Sequence, residues 1–152
     1  METAIWNSWS MKLIAHRGNL KGKNPKYENH PDYILDAVWA GFDVEIDVWN
    51  VKGQWLLGHD APIYSIKQDF LENEKLWCHA KNFQSLTSML NNKNIHSFWH
   101  QNDDFALTSQ GYIWTFPGKK LHKNSVAVKP EQFDFKDIEI CYAVCSDFAG
   151  EI

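Results

Sequence analysis

Short apolar runs alternate with polar stretches along the chain, and most of the runs end in an ionisable residue. Successive side chains of an extended backbone point to opposite faces, so short apolar or alternating runs bounded by polar residues predict β-strands. We predict eight strands on this basis, at 12–15, 44–48, 55–59, 76–81, 96–101, 112–116, 125–131 and 141–147.

Apolar residues at helical spacing separate several of these strands. One helix is predicted to begin at His30-Pro31, where proline suits the first helical position, and to end near Gly41. Asn29 or His30 can cap its first turn. Two further helices are predicted over 82–92 and 102–110, with asparagine as the N-cap of each, and a weaker one over 65–75.

The stretch VEIDVWNVKGQWLLGHD, residues 44–60, combines a strand pattern with two acids. Glu45 and Asp47 share one face of the strand, and Lys52-Gly53 favours a reversal that brings His59 close to both acids. Two alternatives remain open from these residues alone. The stretch is either an edge hairpin with a solvated acidic face or part of a site in which a cation compensates the acid pair.

The ionisable residues at the ends of the runs favour an α/β fold. In eight-stranded α/β barrels the catalytic groups lie at the C-terminal ends of the strands. We therefore expect one domain over 1–152, a compact (β/α)8 TIM-type barrel. Such barrels usually take about 250 residues, and the links at 49–54 and 117–124 are too short for a helix. Several helices must be shortened or missing.

Composition narrows the function class further. A net charge of −4 and a pI of about 5.9 give no basic surplus for binding nucleic acid or an acidic membrane. We expect no membrane span, and no secretory signal in METAIWNSWSMKLIAHRG, residues 1–18. Three cysteines outside any CxxC motif favour a reducing, cytoplasmic setting. Aromatic residues, 14% of the chain, can cover a bare outer surface or support a homo-oligomer.

Five motifs in this order resemble the glycerophosphodiester phosphodiesterases, relatives of phosphatidylinositol-specific phospholipase C. They span almost the whole chain: HRG at 16–18, YEN at 27–29, EIDV at 45–48, GHD at 58–60 and CSDF at 145–148. The resemblance implies a metal-dependent phosphodiester hydrolase on a (β/α)8 barrel that acts on a small-molecule phosphodiester.

The resemblance also assigns roles to individual residues. It implies that His16 and His59 are catalytic, that Arg17 and Lys81 bind phosphate, and that Glu45 and Asp47 bind the metal, which is Mg²⁺ or Ca²⁺ in the family. His79 stands where the family has a third carboxylate ligand. Histidine suits Mn²⁺ or Zn²⁺ better than hard cations. Rim positions are predicted for Glu28, His100 and Glu131, and Asp147 is interpreted as polar rim as well.

A non-catalytic phosphate-binding or assembly module on a degenerate barrel is the alternative to the enzyme. The missing helices and the many aromatic residues favour it. The four residues His16, Glu45, Asp47 and His59 argue against it, since a decayed site tends to lose at least one of them. A phosphomonoesterase that uses the same metal is a third hypothesis.

Overall fold

The computed structural model describes residues 11–152. The expectation that residues 1–18 carry no secretory signal falls largely on residues 1–10, which lie outside the described residues. Within 11–152, none of the helices combines the length and the apolar character that crossing a membrane requires.

Ten strands form one curled, mixed sheet in the shape of a half-barrel. A run of parallel strands in the order β6-β5-β2-β1-β10-β9-β8 makes up most of it. The antiparallel strand β7 lies at the end beside β8, and the antiparallel pair β3-β4 extends from β2. The strands are β1 Lys12–His16, β2 Asp43–Val51, β3 Gln54–Leu57, β4 Tyr64–Ile66, β5 Leu76–Ala80, β6 Ser97–Phe98, β7 Phe105–Leu107, β8 Ile113–Thr115, β9 Ser125–Val128 and β10 Ala143–Ser146.

Strand β2 is the centre of the sheet because it pairs with three neighbours. Its first half runs parallel to β1, with His16 beside Glu45. Its middle runs parallel to β5, with Asp47 beside His79. Its last residues pair with β3. Residues paired in neighbouring strands point to the same face, so these four side chains are brought together by register alone.

The predicted hairpin after the acidic strand is confirmed. Val51 pairs with Gln54 and Val48 with Leu57, so Lys52 and Gly53 form the two-residue tip. Both tip residues have positive φ, 53° and 85°, as a type I′ turn requires. The hairpin therefore returns the chain to the acidic strand, and the Gly58 amide donates to the Asp47 carbonyl oxygen at 3.1 Å, one residue before His59.

Three α-helices lie within the described residues: α1 Pro31–Trp39, α2 Gln68–Leu71 and α3 Phe83–Leu90. The first begins as predicted, because the His30 side chain accepts a hydrogen bond from the Asp32 amide. Helix α3 has a capping box in which Asn82 and Ser85 bond each other's backbone amides. Two 3₁₀ segments, Ile138–Ile140 and Ala149–Glu151, complete the set.

The prediction of a (β/α)8 TIM-type barrel is wrong. The structure is a sheet-dominated half-barrel with few helices. Two links are too short for a helix, because a helical crossover needs a dozen or more residues: two residues join β2 to β3, and only 116–124 join β8 to β9. The longer link 129–142 contains a 3₁₀ segment but no α-helix. Irregular chain instead covers the outer face of β9 and β10, where Leu121 and Phe135 pack on Ala127 and Val144.

The predicted helix over 102–110 is also wrong. Residues Phe105–Leu107 form β7, which pairs antiparallel with β8. Asp103 does not start a helix, since its side chain accepts a hydrogen bond from the Gln101 amide in a bend. Pairing with β8 buries Ala106 and outweighs the local helical pattern. The weak helix over 65–75 is reduced to the single turn α2, preceded by β4.

Side chains alternate across the curled sheet and divide the core into layers. Val44, Ile46 and Val48 of β2 face outward, where α1 and α3 cover them. Large apolar residues such as Trp77 and Phe98 fill one layer of the inner face, which we call the apolar floor. At the C-terminal ends of the parallel strands, on one side of this floor, the inward side chains are ionisable.

His96 provides a test of the apolar floor. It is 5% exposed, its Nε2 lies 2.8 Å from Thr108 Oγ1, and its ring lies against the Trp77 indole. Burial lowers the pKa of His96 to about 4. The unfolded chain binds this proton at the ordinary pKa of about 6.5, so the stability that neutral His96 contributes is complete above that pH and is lost as pH falls toward 4.

We therefore expect His96→Gln to remove roughly 2–3 kcal/mol of the acid-induced loss in the free energy of unfolding between about pH 7 and pH 4. Urea unfolding of both proteins at several pH values measures this difference. If the free energy of unfolding fell by the same amount in both proteins between about pH 7 and pH 4, the placement of His96 in the apolar floor would be contradicted.

Candidate active site

A cavity of about 460 Å³ opens at the C-terminal edge of the parallel strands. Its lining combines two kinds of side chain. Trp114, Phe116 and Phe133 provide aromatic surface. Nine ionisable residues also line it, namely His16, Arg17, Glu45, Asp47, His59, His79, Lys81, His100 and Lys129.

The inner face of β2 carries three buried acids, and their partners differ. Asp43, at the bottom, accepts a hydrogen bond of 2.9 Å from the Trp77 indole and lies 3.8 Å from Lys12 Nζ. Glu45 and Asp47 are 2% and 1% exposed and lie in the cavity. The solvated acidic face of an edge hairpin is therefore excluded, and the upper two acids need compensation from the site itself.

Glu45 is the least compensated of the three acids. It accepts one hydrogen bond, from the Arg17 backbone amide at 3.3 Å. His16 Nε2 and His79 Nδ1 each lie 3.8 Å from one of its oxygens. Burial, followed by the negative charge of Asp47, raises the pKa of Glu45 well above its usual value. A cation in the cavity would favour the ionised form of this carboxyl.

Asp47 is held more firmly than Glu45. The side chain of Asn29 donates to Oδ2 at 2.8 Å and accepts from the Asp47 backbone amide at 2.9 Å. Arg17 Nε lies 3.5 Å from the same oxygen, and His79 Nδ1 lies 3.1 Å from Oδ1. Burial raises the pKa of Asp47, but the hydrogen bond and charge of His79, with Arg17 and Asn29, outweigh it and lower the pKa below its usual value.

His79 completes a three-residue group that could hold a metal ion. One ligand atom each from Glu45, Asp47 and His79 lies within 4.8 Å of the others. The imidazole is fixed from two directions: its ring stacks on Phe98 with an interplanar angle of 7°, and its Nε2 lies 3.0 Å from the His100 carbonyl oxygen. The group thus combines two carboxylates with one oriented imidazole nitrogen.

His16 is oriented by a buried acid from the far end of the chain. Its Nδ1 lies 2.7 Å from Asp147 Oδ1. Asn19 donates to the same oxygen at 3.0 Å, and Tyr33 donates to Asn19 in turn. Burial raises the pKa of Asp147, but the hydrogen bond and charge of His16 outweigh it and lower the pKa to about 2. An ionised Asp147 requires a proton on Nδ1, so Nε2 of His16 faces Glu45 and the cavity.

His59 reaches the cavity from the loop after β3. Gly58 allows this approach, since a Cβ there would overlap the carbonyl oxygen of Ala61. The Nδ1 of His59 lies 2.8 Å from Asp60 Oδ1. Burial, and then the positive charge of Arg17, lower the pKa of His59. The His59 side chain is more exposed than that of His16. In both residues Nδ1 lies within hydrogen-bond distance of a carboxylate.

Three long cationic side chains, Arg17, Lys81 and Lys129, line the cavity. Arg17, in the left-handed region at φ 56°, lies between Asp47 and Glu28, whose Oε1 is 3.2 Å from its guanidinium. Burial lowers the pKa of Arg17, but the charges of Glu45 and Asp47 outweigh it and raise the pKa. Lys81 and Lys129 line the cavity from the ends of β5 and β9. Lys129 also has positive φ, 53°.

The structure brings together eight of the ten predicted site residues. Glu28 and Glu131 do not line the main cavity. Glu28 is held behind Arg17, where it also accepts from Asn19 and the Asn24 amide. Glu131 turns to the end of β10, where it accepts from Ser146 Oγ at 2.8 Å. Both therefore support neighbouring residues from outside the cavity.

Three residues that matter at the site were missed or undervalued by the sequence analysis. Asp147, interpreted as polar rim, orients His16 from 131 residues away. Asn29, considered as a helix cap and as the last residue of the YEN motif, carried no assigned role at the site, yet it holds Asp47. Lys129 carried no assigned role. Its place two residues before Glu131 at the end of a predicted strand was the one available indication.

Comparison of the chain with protein-family models, curated proteins and solved structures finds no match. The resemblance to the glycerophosphodiester phosphodiesterases therefore stays a prediction from the motifs. The geometry of the site has to carry the functional argument.

Asn29 provides a structural test of the site. It sits at φ 66°, in the left-handed region, while bonding a buried carboxylate twice. We expect Asn29→Gly to lower the free energy of unfolding by about 2–3 kcal/mol, because hydrogen bonds to a buried charge are lost. Asn29→Ala should cost about 1 kcal/mol more, because alanine is strained at positive φ.

Urea unfolding at neutral pH measures both values, with the exposed Asn124→Ala as the matched control. Wild-type stability in Asn29→Gly would show that the amide does not hold Asp47.

Proposed function

We propose that the protein is a metal-dependent phosphodiester hydrolase, similar in chemistry to the glycerophosphodiester phosphodiesterases. One observation carries this proposal: two histidines, each with Nδ1 against a carboxylate, line the same cavity as a Glu-Asp-His metal-binding group and three cations. A diester needs its charge neutralised, its nucleophile deprotonated and its leaving alkoxide protonated, and this cavity holds residue types suited to each task.

The donor set fits a divalent cation. Glu45 is buried with one long hydrogen bond, and the Nδ1 of His79 lies near an oxygen of each carboxylate. Two carboxylates would balance a charge of +2. A cation bound by Glu45, Asp47 and His79 would supply Lewis-acid neutralisation of a phosphate oxygen.

The two histidines suit proton transfer. Since Asp147 and Asp60 take up the Nδ1 side of His16 and His59, the Nε2 atoms are left for the substrate. One imidazole takes the proton from the nucleophile, and the other gives a proton to the leaving oxygen. Each such group typically contributes about 10²–10⁴ to the rate.

The cations complete the phosphate site. Arg17 provides a planar guanidinium and Lys81 a mobile ammonium, the roles that the motifs imply for both. Lys129 adds a third positive charge from β9, and we include it among the phosphate-binding residues. Its left-handed backbone, uncommon outside glycine, asparagine and aspartate, occurs at the strand end that faces the cavity.

Location and partners follow the same proposal. The substrate is a small-molecule phosphodiester, in keeping with the size of the cavity. Cys78, Cys141 and Cys145 are buried and unpaired, which supports a reducing, cytoplasmic setting. Apolar side chains exposed on the helices, Trp39 and Phe83 among them, offer surface for the homo-oligomer that the composition allows.

Hydrolysis of bis-(p-nitrophenyl) phosphate, followed by absorbance with a divalent metal present, tests the proposal. We expect EDTA to abolish turnover, and His16→Ala and His59→Ala each to lower kcat by about 10²–10⁴, because each removes a proton-transfer group. The exposed His122→Ala should retain wild-type turnover. Activity that survives both cavity substitutions would refute the mechanism, and binding of metal and phosphate without turnover would favour the non-catalytic module.

Asp147 gives a second test. Asp147→Asn keeps the shape of the side chain but removes the charge that fixes the Nδ1 proton of His16. We expect kcat to fall by about 10²–10⁴ with little change in KM, the pattern of a lost orienting acid in His–Asp pairs. The exposed Asp134→Asn is the control for loss of an acid. Unchanged kcat in Asp147→Asn would show that His16 is not oriented through this contact.

A further inference from the structure

The tautomer of His79 can be assigned from its surroundings. Its Nε2 lies 3.0 Å from the backbone carbonyl oxygen of His100, and a carbonyl oxygen only accepts hydrogen bonds. Nε2 therefore carries a hydrogen. In the neutral ring the lone pair must then be on Nδ1, which faces Asp47 Oδ1 at 3.1 Å and Glu45 Oε2 at 3.8 Å.

This arrangement places three electron-pair donors around one point. A lone pair on Nδ1 and carboxylate oxygens repel one another at these distances unless a cation lies between them. The cation is either a second proton on the ring or a metal ion. Metal-ligating histidines almost always donate their other ring N–H to a carbonyl, carboxylate or water, which is the arrangement found at His79.

The spacing suits one ion rather than two separate contacts. Nitrogen and oxygen ligands about 2.0–2.2 Å from a zinc-sized ion lie roughly 3.0–3.5 Å apart at the angles of octahedral or tetrahedral coordination. The 3.1 Å from Nδ1 to Asp47 falls in this range, and the 3.8 Å to Glu45 is slightly longer. The stack of the His79 ring on Phe98 fixes the direction of Nδ1 beforehand.

We infer that this site selects a borderline divalent transition metal, Mn²⁺, Fe²⁺ or Zn²⁺, over Mg²⁺ and Ca²⁺, and that His79 Nδ1 is the ligand that selects it. Mg²⁺ and Ca²⁺ favour all-oxygen surroundings, whereas imidazole nitrogen is a good ligand for the transition metals. The inference rests on the proposed function only in treating Glu45, Asp47 and His79 as the metal centre.

Binding to the apo protein tests the selectivity without any measurement of activity. Calorimetric titrations with MnCl₂, ZnCl₂, MgCl₂ and CaCl₂ should give Kd values at least about ten-fold lower for Mn²⁺ and Zn²⁺ than for Mg²⁺ and Ca²⁺. Pulsed electron paramagnetic resonance of the Mn²⁺-loaded wild type should show coupling to a directly bound ¹⁴N nucleus. Because this spectrum is recorded on the wild-type protein, it does not require any variant to fold.

The variant His79→Asp restores an all-oxygen ligand set. We expect it to lose the ¹⁴N coupling, to bind Mn²⁺ and Zn²⁺ about 10–100-fold more weakly, and to narrow or reverse their advantage over Mg²⁺. His122→Gln, which removes an exposed histidine, should leave every Kd unchanged and controls for metal bound at the surface.

The outcomes separate this inference from the proposed function. Tightest binding of Mg²⁺ or Ca²⁺, or a Mn²⁺ spectrum without ¹⁴N coupling, overturns the selectivity even if diesters are hydrolysed. Nitrogen-coupled Mn²⁺ without diester turnover supports the selectivity and refutes the phosphodiesterase proposal. If the protein binds none of the four metals, both are refuted.

Discussion

Two carboxylates buried on one face of one strand constrain everything around them. Glu45 and Asp47 are separated by one residue of β2 and have almost no contact with water. Each buried charge lowers the stability of the fold by several kcal/mol unless an opposite charge or hydrogen-bond donors compensate it. The neighbouring strands provide those partners through register, since β1 places His16 beside Glu45 and β5 places His79 beside Asp47. The loops add Arg17 and Asn29.

The two carboxylates differ in how well hydrogen bonds and positive charges stabilise them. Asp47 is bonded on both oxygens, whereas Glu45 accepts one long hydrogen bond and its pKa is raised by burial and by Asp47. Asp43, two residues earlier on the same face, accepts a hydrogen bond from an indole and lies near two lysines. Glu45 and Asp47 instead share the Nδ1 atom of His79, which lies near an oxygen of each. This arrangement favours a bound cation over a purely structural network.

The half-barrel brings the site residues together at the C-terminal edge of the sheet without a surrounding ring of helices. Parallel strands already bring their C-terminal ends to one side of the sheet. Two longer helices cover the outside of β2 and its neighbours, and irregular chain covers β9 and β10. The smaller scaffold leaves an open cavity whose lining includes aromatic residues such as Phe116 and Phe133.

Local pattern was sufficient for some of this architecture. Alternation placed Glu45 and Asp47 on one face of a strand, Lys52-Gly53 indicated the tip of the hairpin, and capping residues marked the starts of α1 and α3. Features that depend on distant pairing were not predictable. The contact of Asp147 with His16 requires β10 to lie beside β1, and β7 forms in place of a predicted helix because β8 is available to pair with it. The prediction of a closed barrel was wrong for a similar reason. The link lengths indicated that helices were missing, but they did not indicate how the sheet curls.

We propose that a metal ion, the two acids and the two histidines act on one phosphate in this cavity. A crystal structure of the protein with Mn²⁺ and a non-hydrolysable phosphonate analogue of a diester would show this arrangement. We expect an anomalous peak bonded to Glu45, Asp47 and His79 Nδ1, with the phosphorus atom between His16 and His59 and its oxygens toward Arg17. A manganese ion elsewhere, or a phosphonate bound outside the cavity, would contradict it.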